Sequence, residues 1–313
     1  MLGRTAGGLF WMFRYLERSE NVARLLDAGF RIALTRSSSA QQEWASILST
    51  IDAREAYDAK HDVYAAAPVI DFLLRDRAHP SSVMSMLEAA RTNAREVRTA
   101  LTREVFEATN ESYLTLKEIL ARPVRDRDLP EVLNTVRKQS ALVRGALHGT
   151  MLRNDIYNFA RIGTFLERAD NTARILDVKY YVLLPSIAHV GAAIDNVQWE
   201  TILRAVSALQ AFRWLNKDDV SATGIGEFLI LDPRLPRSLL FSCNIMLENL
   251  NLLSQTYGER GPAVDLAEQH RSRLANRTIE SIMDEGLHET LENFIAANNA
   301  LAVQIERDFR FYE

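Results

Sequence analysis

One cysteine, five lysines and eight prolines are few for a chain of 313 residues, and each scarcity narrows what the protein can be. Cys243 stands alone, which excludes an intramolecular disulfide and a cysteine-cluster metal site and makes a reducing cytoplasm the expected compartment. The lysines are Lys60, Lys117, Lys138, Lys179 and Lys217, so arginine supplies nearly all of the 37 basic side chains. That bias suits planar, multi-donor pairing with carboxylates or phosphates, although a skewed codon composition would produce it too. A net charge of −4 leaves no general footprint for a polyanion, and nucleic acid is not expected as a partner. No apolar run is long enough for a membrane span. The stretch YYVLLPSIAHVGAAI is interrupted by Pro185 and His189, and the patch from Leu9 to Phe13 is cut by Arg14, so neither a signal peptide nor a spanning helix is expected. His61, His79, His148, His189 and His270 are scattered, with no local signature of a nucleophilic triad.

What is abundant is helical periodicity. Hydrophobic residues make up 47% and charged residues 25%, the balance of a packed globular chain large enough for one big domain or two modest ones. Apolar residues recur at three-and-four spacing, as in Val83, Leu87, Ala90, Ala94, Val97 and Leu101, while strictly alternating segments are missing. A second stripe runs through Leu287, Leu291, Phe294, Asn298, Leu301 and Ile305. The expected fold is all-α. Breaks are expected at Ser37 to Ala40, Ala67-Pro68, Arg75 to Ser82, Arg122 to Pro130, Pro185, Asp218 to Gly226 and Tyr257 to Pro262.

The chain repeats itself. YLERSENVARLLD from Tyr15 to Asp27 returns as FLERADNTARILD from Phe165 to Asp177, with eight of the thirteen positions identical. A shift of about 150 to 158 residues also aligns Trp44 with Trp199, and FLLRDRAHPSS from Phe72 with FLILDPRLPRS from Phe228. Met1-Leu2 meets Met151-Leu152, and Leu129, Leu133, Val136 and Val143 meet Leu287, Leu291, Phe294 and Leu301. The expectation is a tandem-duplicated helical bundle, residues 1–150 and 151–313, packed as one compact unit with pseudo-two-fold symmetry.

On the repeated helix Val22, Tyr15, Leu26, Ser19, Met12, Ala23 and Leu16 fall on one broad side, with Glu17, Asn21, Arg24, Arg14 and Arg18 opposite. The second copy keeps Glu167, Arg168, Asn171 and Arg174 and has Thr164 in place of Arg14. A solvated face needs only its hydrophobic pattern preserved, yet here the polar set is preserved. Two readings follow. Glu17 with Arg18 and Arg24, and Glu167 with Arg168 and Arg174, could pair as a buried ionic lattice that docks the halves. Alternatively the same groups line a polar cleft, with carboxylates as acceptors or bases and guanidinium forks for an anion. No catalytic residue is assigned on either reading.

Other features are weaker. Glu285-Gly286-Leu287-His288 has the Glu-x-x-His spacing of di-metal bundles but lacks the rest of that ligand set, so His288 reads as a surface histidine near a helix start and no metal is expected. Gly224-Ile225-Gly226 lacks the strand and third glycine of a dinucleotide fingerprint and reads as a loop. Asp76 and Asp232, ahead of Pro80 and Pro236, read as turn or cap residues.

Together MLGRTAGGLFWMFRYLERSENVARLLD, FARIGTFLERADNTARILD and FLILDPRLPRS resemble the Alpha-E family, bacterial all-helical proteins named for a Glu-Arg motif, here Glu17-Arg18 and Glu167-Arg168. Phe13 departs from the pattern, where a small residue like Gly163 is expected. The resemblance implies association with a circularly permuted ATP-grasp amidoligase, often with a transglutaminase-like protein and sometimes the proteasome-related peptidase Anbu. It thus implies an accessory subunit in the synthesis or modification of a peptide, with a peptide or amino acid as substrate. ATP and magnesium would belong to the partner, since this chain has no phosphate loop and no cofactor of its own is expected. The alternatives are a stand-alone enzyme acting on amide or ester bonds through the Glu-Arg helices, and a non-catalytic scaffold.

Overall fold

The computed structural model describes residues 1–35, 40–182, 193–215 and 221–312. Among these there are fifteen α-helices and no strand, as the apolar periodicity predicts. The expected features at Ser37 to Ser39, Pro185, His189 and Asp218 to Val220 lie outside the described residues. Two compact units emerge, Met1–Glu167 together with Phe309–Glu313, and Arg168–Asp308.

In the first unit α1 (Gly3–Thr35), α5 (Val83–Glu96), α6 (Arg103–Ile119) and α7 (Leu129–Thr150) close a four-helix ring in which α1 packs on both α5 and α7, and α6 joins those two. The shorter α2 (Ala40–Thr50), α3 (Arg54–Asp58) and α4 (Ala66–Leu74) gather beside α1. The α5 stripe from Val83 to Leu101 is buried throughout, and each large apolar side chain so placed stabilises the fold by roughly 1.5–3 kcal/mol. The starts of α5 and α6 are set by capping. Ser82 accepts from Ser85 N and Thr102 from Val105 N, satisfying amides that a helix start leaves unpaired.

The first half of α8 (Asp155–Val182) belongs to this unit and lies close against α1. A Cβ on Gly163 would sit 2.3 Å from the Phe10 carbonyl oxygen, so only glycine permits that approach. Phe13, at the matching position of the other copy, is instead buried in the core. The C-terminal aromatics complete the packing, with Phe309 and Phe311 at 4.9 and 6.1 Å from the Phe159 ring.

In the second unit α12 (Leu239–Tyr257), α13 (Pro262–Ala275) and α15 (Leu287–Asp308) pack in series, the order seen for α5, α6 and α7. Around them lie α9 (Ala193–Ala205), α10 (Leu209–Leu215), α11 (Ala222–Ile230) and α14 (Ile279–Glu285). Ser238 caps α12 as Ser82 caps α5, and Gly258 ends α12 in the left-handed conformation with φ 70°. The expected loop at Gly224-Ile225-Gly226 is corrected here. All three residues are inside α11, because Ser221 caps the helix by accepting from Gly224 N, and Gly226 admits Ile279 and Met283 of α14 at close range.

Candidate functional site

Both sides of α1 are buried. Glu17 is 1% exposed and Glu20 0%, and Arg14 and Asn21 are buried with them, so the polar stripe faces protein rather than water. Such charges need partners. Glu167 of the second motif supplies one: Arg18 of the first motif forks onto it, Nε donating to Oε1 at 2.5 Å and Nη2 to Oε2 at 2.8 Å, while Arg14 Nε donates to Oε2 at 3.2 Å. The two Glu-Arg motifs are therefore joined by direct ion pairs within the first unit. Burial works against the Glu167 charge, but the guanidiniums of Arg18 and then Arg14 outweigh it and hold the carboxyl below its ordinary range.

A second cluster is continuous with the first along α1. Arg24 donates to Glu20, four residues back on the same helix, at 2.6 and 2.9 Å. Arg144 of α7 binds Glu20, reaches Glu17 at 3.5 Å and donates to Ser140 at 2.8 Å. Neither Glu20 nor Arg144 stands out in the motif as read from sequence. The available signal was the acid kept at both copies, Glu20 and Asp170, since Arg174 likewise donates to Asp170 at 2.7 Å. Asp27 closes the series, bound by Arg137 of α7 at 3.2 Å and by Arg31 at 3.3 Å.

In the second unit the motif engages the repeated turn. Arg168 donates to the Pro236 carbonyl at 3.3 Å and Thr172 to the Arg237 carbonyl at 3.0 Å, tying FLERADNT to LDPRLPRS. Asn171 is buried, with its amide nitrogen unpaired among the described residues. Asp232 and Asp76 make the turns predicted for them, accepting from Arg234 N and Ala78 N. Asp177 accepts from His288 Nδ1 at 2.6 Å; that hydrogen bond, with the nearby carboxylates, holds the imidazole protonated to higher pH than usual. Glu285 is bound by Arg277, so the Glu-x-x-His residues go to separate partners, and among the described residues no group of His, Cys, Asp and Glu is arranged to hold a metal.

A cleft of about 870 Å³ opens beside the Arg14 cluster in the first unit. Trp11 and Tyr15, with ring centroids 5.6 Å apart, form a wall, and the Arg14 guanidinium lies 4.5 Å from the Trp11 ring. Arg4 and Glu96 border the cleft, and neither has an ion-pair partner among the described residues. Chemically, the ion clusters are set to hold charge in place, while the cleft presents aromatic surface and both signs of charge to a ligand.

The family model named Alpha-E, described as a predicted alpha-helical domain with a conserved ER motif, matches residues 1–309. The chain belongs to the Alpha-E family. Among curated relatives, the uncharacterized proteins Mb2597 of Mycobacterium bovis and Rv2567 and MT2643 of Mycobacterium tuberculosis are 23% identical over 325 aligned positions. The alignment takes in 95% of this Alpha-E chain but only 35% of each relative, so the chain spans about a third of their length. No solved structure matches. In this Alpha-E chain no described helix is long and apolar enough to cross a membrane.

Proposed function

We propose that the chain is an accessory subunit of a cytoplasmic ATP-grasp-type amidoligase system for peptide synthesis or modification, with ATP and magnesium bound by the ligase partner. The observation that carries this reading is the engagement of the Glu-Arg motif in direct salt bridges. Glu167, the buried carboxylate that joins the two motifs, is held ionised between Arg14 and Arg18, which leaves it a weak base and no acid at neutral pH. This favours a folding and docking role for the motif over a stand-alone hydrolase. The relatives add support, because they carry the Alpha-E region within chains nearly three times its length, as expected for a module that works beside another domain. The cleft at Trp11 and Tyr15 suits a peptide or amino acid, its volume lying within the range usual for small-ligand sites. A transglutaminase-like protein and a proteasome-related peptidase are further partners of the same system.

The test is reconstitution. The chain is co-expressed and co-purified with a candidate ATP-grasp amidoligase, and ATP-dependent ligation is followed with and without the chain. Complex formation with a rate increase of several-fold is expected, and Trp11→Ala should raise the KM for the acceptor. No complex and equal rates would remove the accessory role. Peptide turnover by the isolated chain would replace it with the enzyme reading.

A further inference from the structure

The second unit holds a separate cleft of about 600 Å³ between α13, the turn after it, and the start of α15. Two polar side chains lining it are buried and unmatched. His270 is 3% exposed with no partner for Nε2, and Thr290 is 8% exposed with no partner for Oγ1. Buried polar groups in native proteins are nearly always hydrogen-bonded, so two exceptions in one cleft point to a ligand. The charges around them give its sign. Arg277 is neutralised by Glu285, whereas Arg273 has no acidic partner among the described residues. Burial and the Arg273 charge push the His270 pKa to about 4, so at neutral pH the imidazole is uncharged and can offer one N–H. The cleft is thus rich in donors, with one uncompensated guanidinium, and Phe294 and Leu274 supply apolar surface.

The internal repeat offers a comparison. At the same register in the first unit, 158 residues earlier, stand Ser112 and Val132. Ser112 is satisfied by donating to the Ala108 carbonyl at 2.7 Å, and Val132 carries no polar group. The bundle template therefore needs no unmatched polar pair at this place, and its appearance in the second unit calls for a different cause.

We infer that this cleft binds an oxyanion, the carboxylate or phosphoryl group of a small organic ligand, through the Arg273 guanidinium, the Thr290 hydroxyl and the His270 ring N–H. Guanidinium forks with neutral donors beside them are the usual means of holding either group. The site is independent of the accessory role proposed above.

The experiment titrates the full chain with inorganic phosphate and, separately, with acetate at constant ionic strength. Binding is read by calorimetry and by the ¹⁵N shift of the His270 ring. Saturable binding of at least one probe is expected, weakened ten-fold or more by Arg273→Gln and by the isosteric Thr290→Val, and unchanged by Arg260→Gln on the exposed turn before α13. Tighter phosphate assigns a phosphoryl ligand, and tighter acetate a carboxylate. Absence of saturable binding to both probes, or binding that survives either cleft substitution, overturns the inference. Far-UV circular dichroism confirms that each variant is folded.

Discussion

Replacing Glu167 by Gln preserves shape and removes one charge, leaving Arg14 and Arg18 facing a neutral amide. Breaking a buried pair from one side costs about 3–5 kcal/mol. The lower end applies, because the Arg18 side chain is 30% exposed and can recover hydration, while Arg14 at 9% cannot. A loss of about 3 kcal/mol lowers the melting temperature of a cooperative unit of this size by roughly 6–12 °C. Urea denaturation followed by tryptophan fluorescence is the assay, since Trp11 lies against Arg14 and reports on the first unit. The pH dependence is a second signature. The folded carboxyl titrates below its ordinary value of 4.5, so the stabilisation is complete above that pH and is lost as pH falls through the folded value. Glu167→Gln should lack that part of the acid limb. In a double-mutant cycle, Arg18→Met together with Glu167→Gln should cost less than the sum of the single changes. A Gln variant within about 0.5 kcal/mol of the parent, the range of an ordinary surface substitution, would refute the buried-lattice account.

Gly163→Ala should destabilise the first unit by about 1–3 kcal/mol, because the new methyl meets the Phe10 carbonyl and backbone cannot rotate aside; the denaturation midpoint measures it. His288→Gln tests the tie to Asp177. The folded imidazole pKa is raised, so its stabilisation is present below the ordinary value of 6.5 and is lost as pH rises through the folded value. The variant should therefore be less stable than the parent at pH 6 and close to it at pH 9, and equal losses at both would show that the charge is not what matters.

The helices were legible because burial follows spacing: the stripes at Val83 to Leu101 and Leu287 to Ile305 are buried, with Asn298 included. The turn aspartates Asp76 and Asp232 were legible from local chemistry, whereas the caps at Ser82 and Ser238 are shown by the structure. The α11 glycines were not, because a cap at Ser221 and the close approach of α14 override glycine's weak helix preference. In the motif, the repetition of polar residues singled out one helix in each copy, but single-helix periodicity could not say who pairs with whom. Arg144 comes from α7, about 120 residues away, and only packing brings it to Glu20.

The repeat also explains why preserved residues need not keep preserved contacts. Asp27 and Asp177 both anchor the motif helix to the helix that follows the same bundle order, α7 in one unit and α15 in the other. The cation differs. In the first unit it is the guanidinium of Arg137 and in the second the imidazole of His288, which the hydrogen bond to Asp177 keeps protonated to higher pH than usual but which can still lose its proton, so that anchor is conditional on pH. The carboxylate is the fixed element because it belongs to the repeated helix, and its partner is free to vary among cations because any donor on the facing helix satisfies it. The same logic separates Ser112 from His270: the helix position repeats, while Ser112 finds a carbonyl on its own helix and His270 Nε2 finds no partner among the described residues.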